Sequence, residues 1–423
     1  MSQSSDAAAA VLDDASGSAE VAGRLAVVKT FLSDGGLLAL SGTTAMVGIG
    51  GAMVVTTLSL FLADAVGATP LMIGLFFAGR AVLEMSTDLL VGVLSDRIGN
   101  RKVLVALALM LSSVGAVCYM LLRNYYAIFA CGVVFWGVGG SCFAQLLAYT
   151  REMADTSAIK ANTLNSVMRS ITSVAWIAGP PLGFWLIAAH GFTGLYIPAG
   201  LLYFLAGALA LWKFPNLRVE RDEAPKAANP FRGLNRRARL LMIVIVLLLT
   251  VNSIYQIDIS LTVTRALHLG AGVAGLLLGF GAALEVPVLI YFGARADRYG
   301  MWRLMLAAAV GATVFFSLLP LATTRLELLV LQVPNAFWTS LVLSLPVIML
   351  QNIVDGGLGT ASALYSSSFK FGTMLGGATA GVVAEWFGYS DVFWVCAVLA
   401  AVAACLLVSG KAYRHEHAEH SAV

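Results

Sequence analysis

Ionisable and amide side chains interrupt stretches that are otherwise apolar, and their spacing groups them. Arg80, Glu84 and Asp88 follow one another at intervals of four, so a helix would carry all three on one face. Asn165 and Arg169 lie one helical turn apart, and Trp176 falls on the same stripe. A guanidinium, an amide and an indole in line supply donors for hydroxyl groups and a flat apolar plate, which is chemistry suited to a sugar ring. Gln145 in the preceding apolar run, then Asn252 with Gln256, and Asn335 with Trp338, add amide and indole groups that helical spacing could turn towards a shared cavity. These eight residues are candidate substrate contacts. Glu84, Asp88, Asp258, Glu285 and Lys370 are candidates for carrying protons or balancing charge, because a carboxylate buried in one state and approached by a cation in another changes its hold on a proton. An unpaired Lys370 would be costly at membrane depth and needs an acid, with Asp258 and Glu285 as the candidates. An Arg80–Glu84 pair with no further role is the simpler structural alternative.

No nucleophile–base pair or ligand cluster suggests an enzyme. Cys118, Cys131, Cys142, Cys396 and Cys405 lie in apolar runs without a CxxC spacing and read as small core residues. The tail His415-Glu416-His417 to His420 has metal-like composition but is short and terminal. No metal or cofactor is expected beyond a proton as coupling ion.

The elements that position these groups follow from composition. The 423 residues are 59% hydrophobic and 12% charged, with mean hydropathy +0.86. A soluble domain carries about a quarter charged residues. About twelve apolar runs are long enough to span a bilayer, near 37–62, 71–94, 103–122, 126–149, 163–188, 193–212, 240–261, 272–294, 304–321, 327–350, 361–387 and 391–410. Backbone groups in hydrocarbon must be satisfied within the segment, so the runs predict helices and an all-α membrane protein.

The chain repeats itself. Gly92, Asp96, Arg97, Gly99 and Lys102 recur as Gly293, Asp297, Arg298, Gly300 and Arg303 at a constant offset of 201 residues. The register continues outwards: Gly74 matches Gly275, Glu84 matches Glu285 and Arg169 matches Lys370. Such periodicity marks a duplicated architecture, here two six-helix halves in pseudo-symmetry. The expected organisation is a tail at 1–35, a first half at 36–213, a basic, proline-bearing linker at 214–238, a second half at 239–411 and a tail at 412–423. The repeated loops, with Gly92, Asp96, Arg97, Gly99, Arg101 and Lys102 in one and Asp297, Arg298 and Gly300 in the other, are expected to act as cytoplasmic gates. Their contacts would form in one conformer and break in the other.

Twenty lysines and arginines fall on the linker side of the predicted helices and only Arg123, Arg265 and Arg325 on the other. That bias predicts both termini in the cytoplasm. It also explains the basic linker without nucleic acid.

The repeated Gly-x-x-x-Asp-Arg-x-Gly-x-x-basic loop resembles the signature of the major facilitator superfamily, across essentially the whole chain. Gly179-Pro180-Pro181-Leu182-Gly183 resembles the core of that superfamily's antiporter motif. Tyr149-Thr-Arg151-Glu152-Met-Ala-Asp155, Ser166-Val-Met-Arg169, Ala175-Trp176-Ile-Ala-Gly179 and Ala283-Leu-Glu285-Val-Pro287 are similar to the bacterial sugar efflux transporter family. The Arg169–Trp176 spacing also resembles lactose permeases, and Lys370 with Asp258 resembles their lysine–aspartate pair. Their helix-10 histidine has no counterpart here. The resemblance implies a monomeric, multi-pass inner-membrane protein that exports sugars or small glycosides by proton antiport. A drug/proton antiporter of the same fold, or a membrane sensor that moves no solute, are the competing expectations.

Overall fold

The computed structural model describes residues 33–98, 101–156, 161–217, 234–354 and 357–409. Residues 1–32 of the N-terminal tail, the C-terminal tail, most of the linker and Gly99 therefore lie outside the described residues. The described chain is helical, in twelve long runs that follow the apolar segments. They are α1 (Gly35–Asp64), α2 (Pro70–Ile98), α3 (Arg101–Leu121), α4 (Tyr125–Thr156), α5 (161–190), α6 (192–213), α7 (Arg236–Ala266), α8 (Ala271–Gly293), α9 (Met301–Leu321), α10 (Arg325–Ile353), α11 (Gly357–Phe387) and α12 (Val392–Ser409). Gly191, with φ of 68°, separates α5 from α6 by a backbone turn that a β-carbon would oppose.

Polar residues start several helices. The Asp34 carboxylate accepts from the backbone of Gly36 at 2.8 Å, Asn235 from Ala238 at 2.7 Å, and Thr324 with Glu327 forms a capping box at the head of α10. Inside the helices, the hydroxyls of Thr44, Thr56 and Thr57 are buried and donate to carbonyls one turn back. They are thus spent on their own helix, and α1 packs through small residues. A β-carbon on Gly48 would come within 2.7 Å of that of Ala175 on α5.

The halves meet mainly along three helix pairs: α1 with α7, α2 with α11, and α5 with α8. Each contact is closest towards the end opposite the linker, called the far side below. Gly74 and Gly381 bring α2 and α11 together so closely that a β-carbon on Gly74 would lie 2.5 Å from the Gly377 carbonyl. Gly275 and Gly279 play the same part for α8 against Phe184, Pro180 and Pro181 of α5. Two contacts join residues that are each other's equivalents. Ser59 and Ser260 share a buried hydrogen bond at 3.0 Å, and Arg265 pairs with Asp64, its Nε donating at 3.0 Å; each pair is 201 residues apart. A residue that touches its own equivalent lies beside the pseudo-twofold axis, so the axis passes between α1 and α7.

The Asp64 and Arg265 side chains remain 40% and 47% exposed. An ion pair that wet contributes less than about 1 kcal/mol. Asp64→Asn should therefore leave the thermal unfolding of the purified protein nearly unchanged. A large loss of stability would instead make this pair a principal clasp between the halves.

Candidate functional site

The stripe on α5 is oriented by the two faces on either side of it. One face packs on α1 through Thr172, Ala175 and Gly179, and another on α8 through Ile177, Pro181 and Phe184. Exposed Val174, Leu182 and Trp185 mark the outer face. Asn165 and Trp176, both half-buried, and the exposed Arg169 occupy the remaining face. Tyr365 of α11, in the other half, lies within electrostatic reach of Arg169 and bonds through its hydroxyl to the Leu343 carbonyl at 3.2 Å. Arg169 stands eight residues, about 12 Å of helix, to the linker side of Ile177 and the close α5–α8 contact. The stripe therefore lies between the halves, beneath the closed far side. From α7, Gln256 is half-buried and Asn252 is buried.

Three other candidate contacts are committed elsewhere. Gln145 is 5% exposed and accepts from the Arg101 guanidinium at 3.4 Å. Asn335 and Trp338 are closed inside the second half. The Trp338 indole is fully buried and donates to Asn335 Oδ1 at 3.0 Å, and the Asn335 amide donates to Gln332 Oε1 at 2.9 Å. The Tyr255 hydroxyl completes the network by donating to Gln332 at 3.2 Å. These donors and acceptors satisfy one another, and Phe316 packs against the indole. A ring has no face of Trp338 to stack on, so neither residue offers the surface expected of it. Helical spacing identified a shared side of α10 but not which way that side turns.

The charged candidates divide into three places. Arg80 Nε donates to Glu84 at 2.6 Å, and its guanidinium lies 5.7 Å from the Trp136 ring. This is the structural pair that the spacing of four allows. Lys370 reaches across to α2, where its ammonium pairs with Asp88 and donates to the Glu84 carbonyl at 3.3 Å. This corrects the expected pairing with Asp258 or Glu285. Asp258 lies in the far-side seam beside Gly74, Gly381 and Tyr389. Gly381 is eleven residues, about 16 Å, along α11 from Lys370. Asp258 is 2% exposed, and its Oδ2 has no hydrogen-bond partner among the described residues. Glu285 is half-buried on α8 and lies within electrostatic reach of Tyr255 in its own half.

The repeated loops differ in what is described. Gly92, Asp96 and Arg97 fall in the last turns of α2, where side chains lie outside the described residues, as does all of Gly99. Arg101 donates to Glu152 at 2.8 Å, tying α3 to α4, and Lys102 donates to the Phe214 carbonyl at 3.3 Å after α6. Both ties stay within the first half. In the second copy, Asp297 and Arg298 are exposed on a single helical turn, and Gly300, at φ 83°, opens α9. Sequence reasoning passed over Gln332, Tyr365 and the Ser59–Ser260 contact. The offset of 201 would have paired the two serines.

Residues 40–325 and 241–422 match the family described as Major Facilitator Superfamily. The chain is 33% identical to Sugar efflux transporter A of Escherichia coli (strain K12) over 367 residues, covering 86% of this chain and 94% of that one. It is 32% identical to Sugar efflux transporter B of Salmonella typhimurium, covering 84% and 90%. Among solved structures, a point mutant of the nucleoside transporter NupG superposes with a TM-score of 0.78 at 14% identity, covering 88% of this chain and 98% of that one.

Proposed function

The chain belongs to the major facilitator superfamily and is a multi-pass membrane transporter, and on that premise we propose that it exports sugars or small glycosides in exchange for protons. The observation that carries the reading is the α5 stripe. Asn165, Arg169 and Trp176 turn towards the other half, beneath a seam closed on the far side. The sugar efflux transporters, at about a third identity over most of their length, support a sugar as substrate. Gln256 and Asn252 contribute from α7. Gln145, Asn335 and Trp338 are left out, because their polar groups are already engaged within their own halves.

On this reading the linker side is cytoplasmic, as the distribution of basic residues favours, both termini lie there, and the membrane is the bacterial inner membrane. The structure is then the form that takes up substrate from inside. Glu285 carries the proton. It lies on a helix of the α5–α8 seam, so rocking the halves changes its exposure to water and with it the stability of its charge. Arg101 and Lys102 stiffen the cytoplasmic end of the first half. The transporter works as a monomer, since both halves of the cavity come from one chain.

The test is movement of a labelled sugar panel in proteoliposomes with an imposed pH gradient. Wild type is expected to accumulate a sugar against its gradient when protons run the other way. Glu285→Gln should still equilibrate that sugar but no longer respond to the pH gradient. Transport of lipophilic cations with no sugar moved would overturn the substrate class, and a Glu285→Gln protein that still concentrates sugar would remove this carboxylate from coupling.

A further inference from the structure

The two seams between α2 and α11 and between α5 and α8 are built from equivalent positions but carry different chemistry. Lys370 stands 201 residues after Arg169, and Glu285 the same distance after Glu84. On α2 both cations have acids: Arg80 pairs with Glu84 inside the first half, against Trp136, and Lys370 of α11 pairs with Asp88 across the seam. On α8 and α5, the copies of α2 and α11, one member of each pair has been replaced. The equivalent of Asp88 is Leu289, and the equivalent of Arg80 is Gly281. A side chain at Gly281 would have to displace the Gln332 amide, since a β-carbon there would lie 2.9 Å from its Oε1.

The packing register sets Leu289 at the level of Arg169 along the second seam. Along the first seam, Gly74 meets Gly381. Fourteen residues on along α2 and eleven back along α11, Asp88 meets Lys370. Along the second seam, Gly279 meets Ile177 and Pro181. Ten residues further along α8 is Leu289, and the same step back along α5 arrives at the turn that holds Arg169. Arg169 has no acidic partner among the described residues. Glu285, one turn from Leu289, lies within electrostatic reach of Tyr255 in its own half.

We propose that Leu289 determines substrate binding by withholding the carboxylate that its counterpart Asp88 gives to Lys370. A guanidinium has five donors and no acceptor, and an internal carboxylate would occupy two of them and cancel the charge. With an apolar residue there, the donors of Arg169 stay open, and the oxygens of the sugar fill them. One seam is thus a fixed clasp and the other its copy with the clasp opened for a ligand. The inference rests on the reading of Arg169 as a sugar contact.

The experiment measures binding of radiolabelled lactose to the purified full-length protein for wild type, Leu289→Asp, Leu289→Asn and Arg169→Ala. Leu289→Asp is expected to bind at least about tenfold more weakly at neutral pH, as the loss of a charge-assisted hydrogen bond would give. Leu289→Asn, of the same shape without the charge, should stay within about threefold of wild type, since a neutral amide neither cancels the guanidinium's charge nor binds it bidentately. Equal weakening in the Asp and Asn variants would make the effect steric and overturn the proposal. If Leu289→Asp binds like wild type while Arg169→Ala does not, the Leu289 inference falls and the sugar reading stands. If Arg169→Ala binds like wild type, the reading of Arg169 falls and the inference with it. No lactose bound by wild type or any variant would count against the sugar reading itself.

Discussion

Arg169→Ala should lower sugar affinity by roughly 10- to 150-fold. Hydrogen bonds from a charged donor contribute about 1.5–3 kcal/mol, and each 1.4 kcal/mol is a factor of ten. The effect should appear without loss of folded protein. Arg169 is exposed and has no ion-pair partner among the described residues, so its removal strands no buried charge. Arg169→Lys should recover only part of the affinity. Lysine keeps the charge but lacks the planar fork that meets two oxygens at once. Equilibrium binding read beside thermal unfolding separates these outcomes. Affinity that survives the alanine substitution would move the binding site away from α5.

The second large effect concerns the bridge between the halves. Asp88→Asn or Lys370→Met alone should destabilise the protein by up to about 3–5 kcal/mol, because each leaves one charge without a counterion at membrane depth. The side chains keep 25% and 20% exposure, so some water reaches them and the lower end of that range is expected. The double variant, with neither charge left, should recover most of the loss. A double-mutant cycle on thermal unfolding of the purified protein gives the coupling directly. Purely additive losses would falsify the pairing. The same cycle between Lys370 and Asp258 should show no coupling, since the two lie at different depths of the α2–α11 seam.

These expectations show what the residues could reveal beforehand. The helices were legible, because each apolar run has the length a bilayer demands and polar caps mark several starts. The Arg80–Glu84 pair was legible because both partners sit on one helix, where spacing alone decides the distance. The duplication was legible from an offset that needs no structure. The partner of Lys370 was not, because it depends on which helices of opposite halves touch and in what register. A resemblance to lactose permeases pointed to an aspartate on α7, while the close glycine contact of α2 with α11 brought Asp88 nearer. Asn335 and Trp338 failed for a different reason. Periodicity says that two side chains share a face but not whether that face turns to a cavity or to a neighbour, and here Gln332 and Phe316 take it.

The contacts beside the pseudo-twofold axis bear on how such a chain could arise. In an assembly of two identical six-helix subunits, a residue at the axis would meet its own copy. Serine tolerates this, since one hydroxyl can donate while its twin accepts, and Ser59 with Ser260 keeps that arrangement. Aspartate does not, since two carboxylates would face each other where Asp64 now faces Arg265. The present closure is therefore available only to halves that have diverged, and the two sides of one axis hold opposite charges because their sequences differ there.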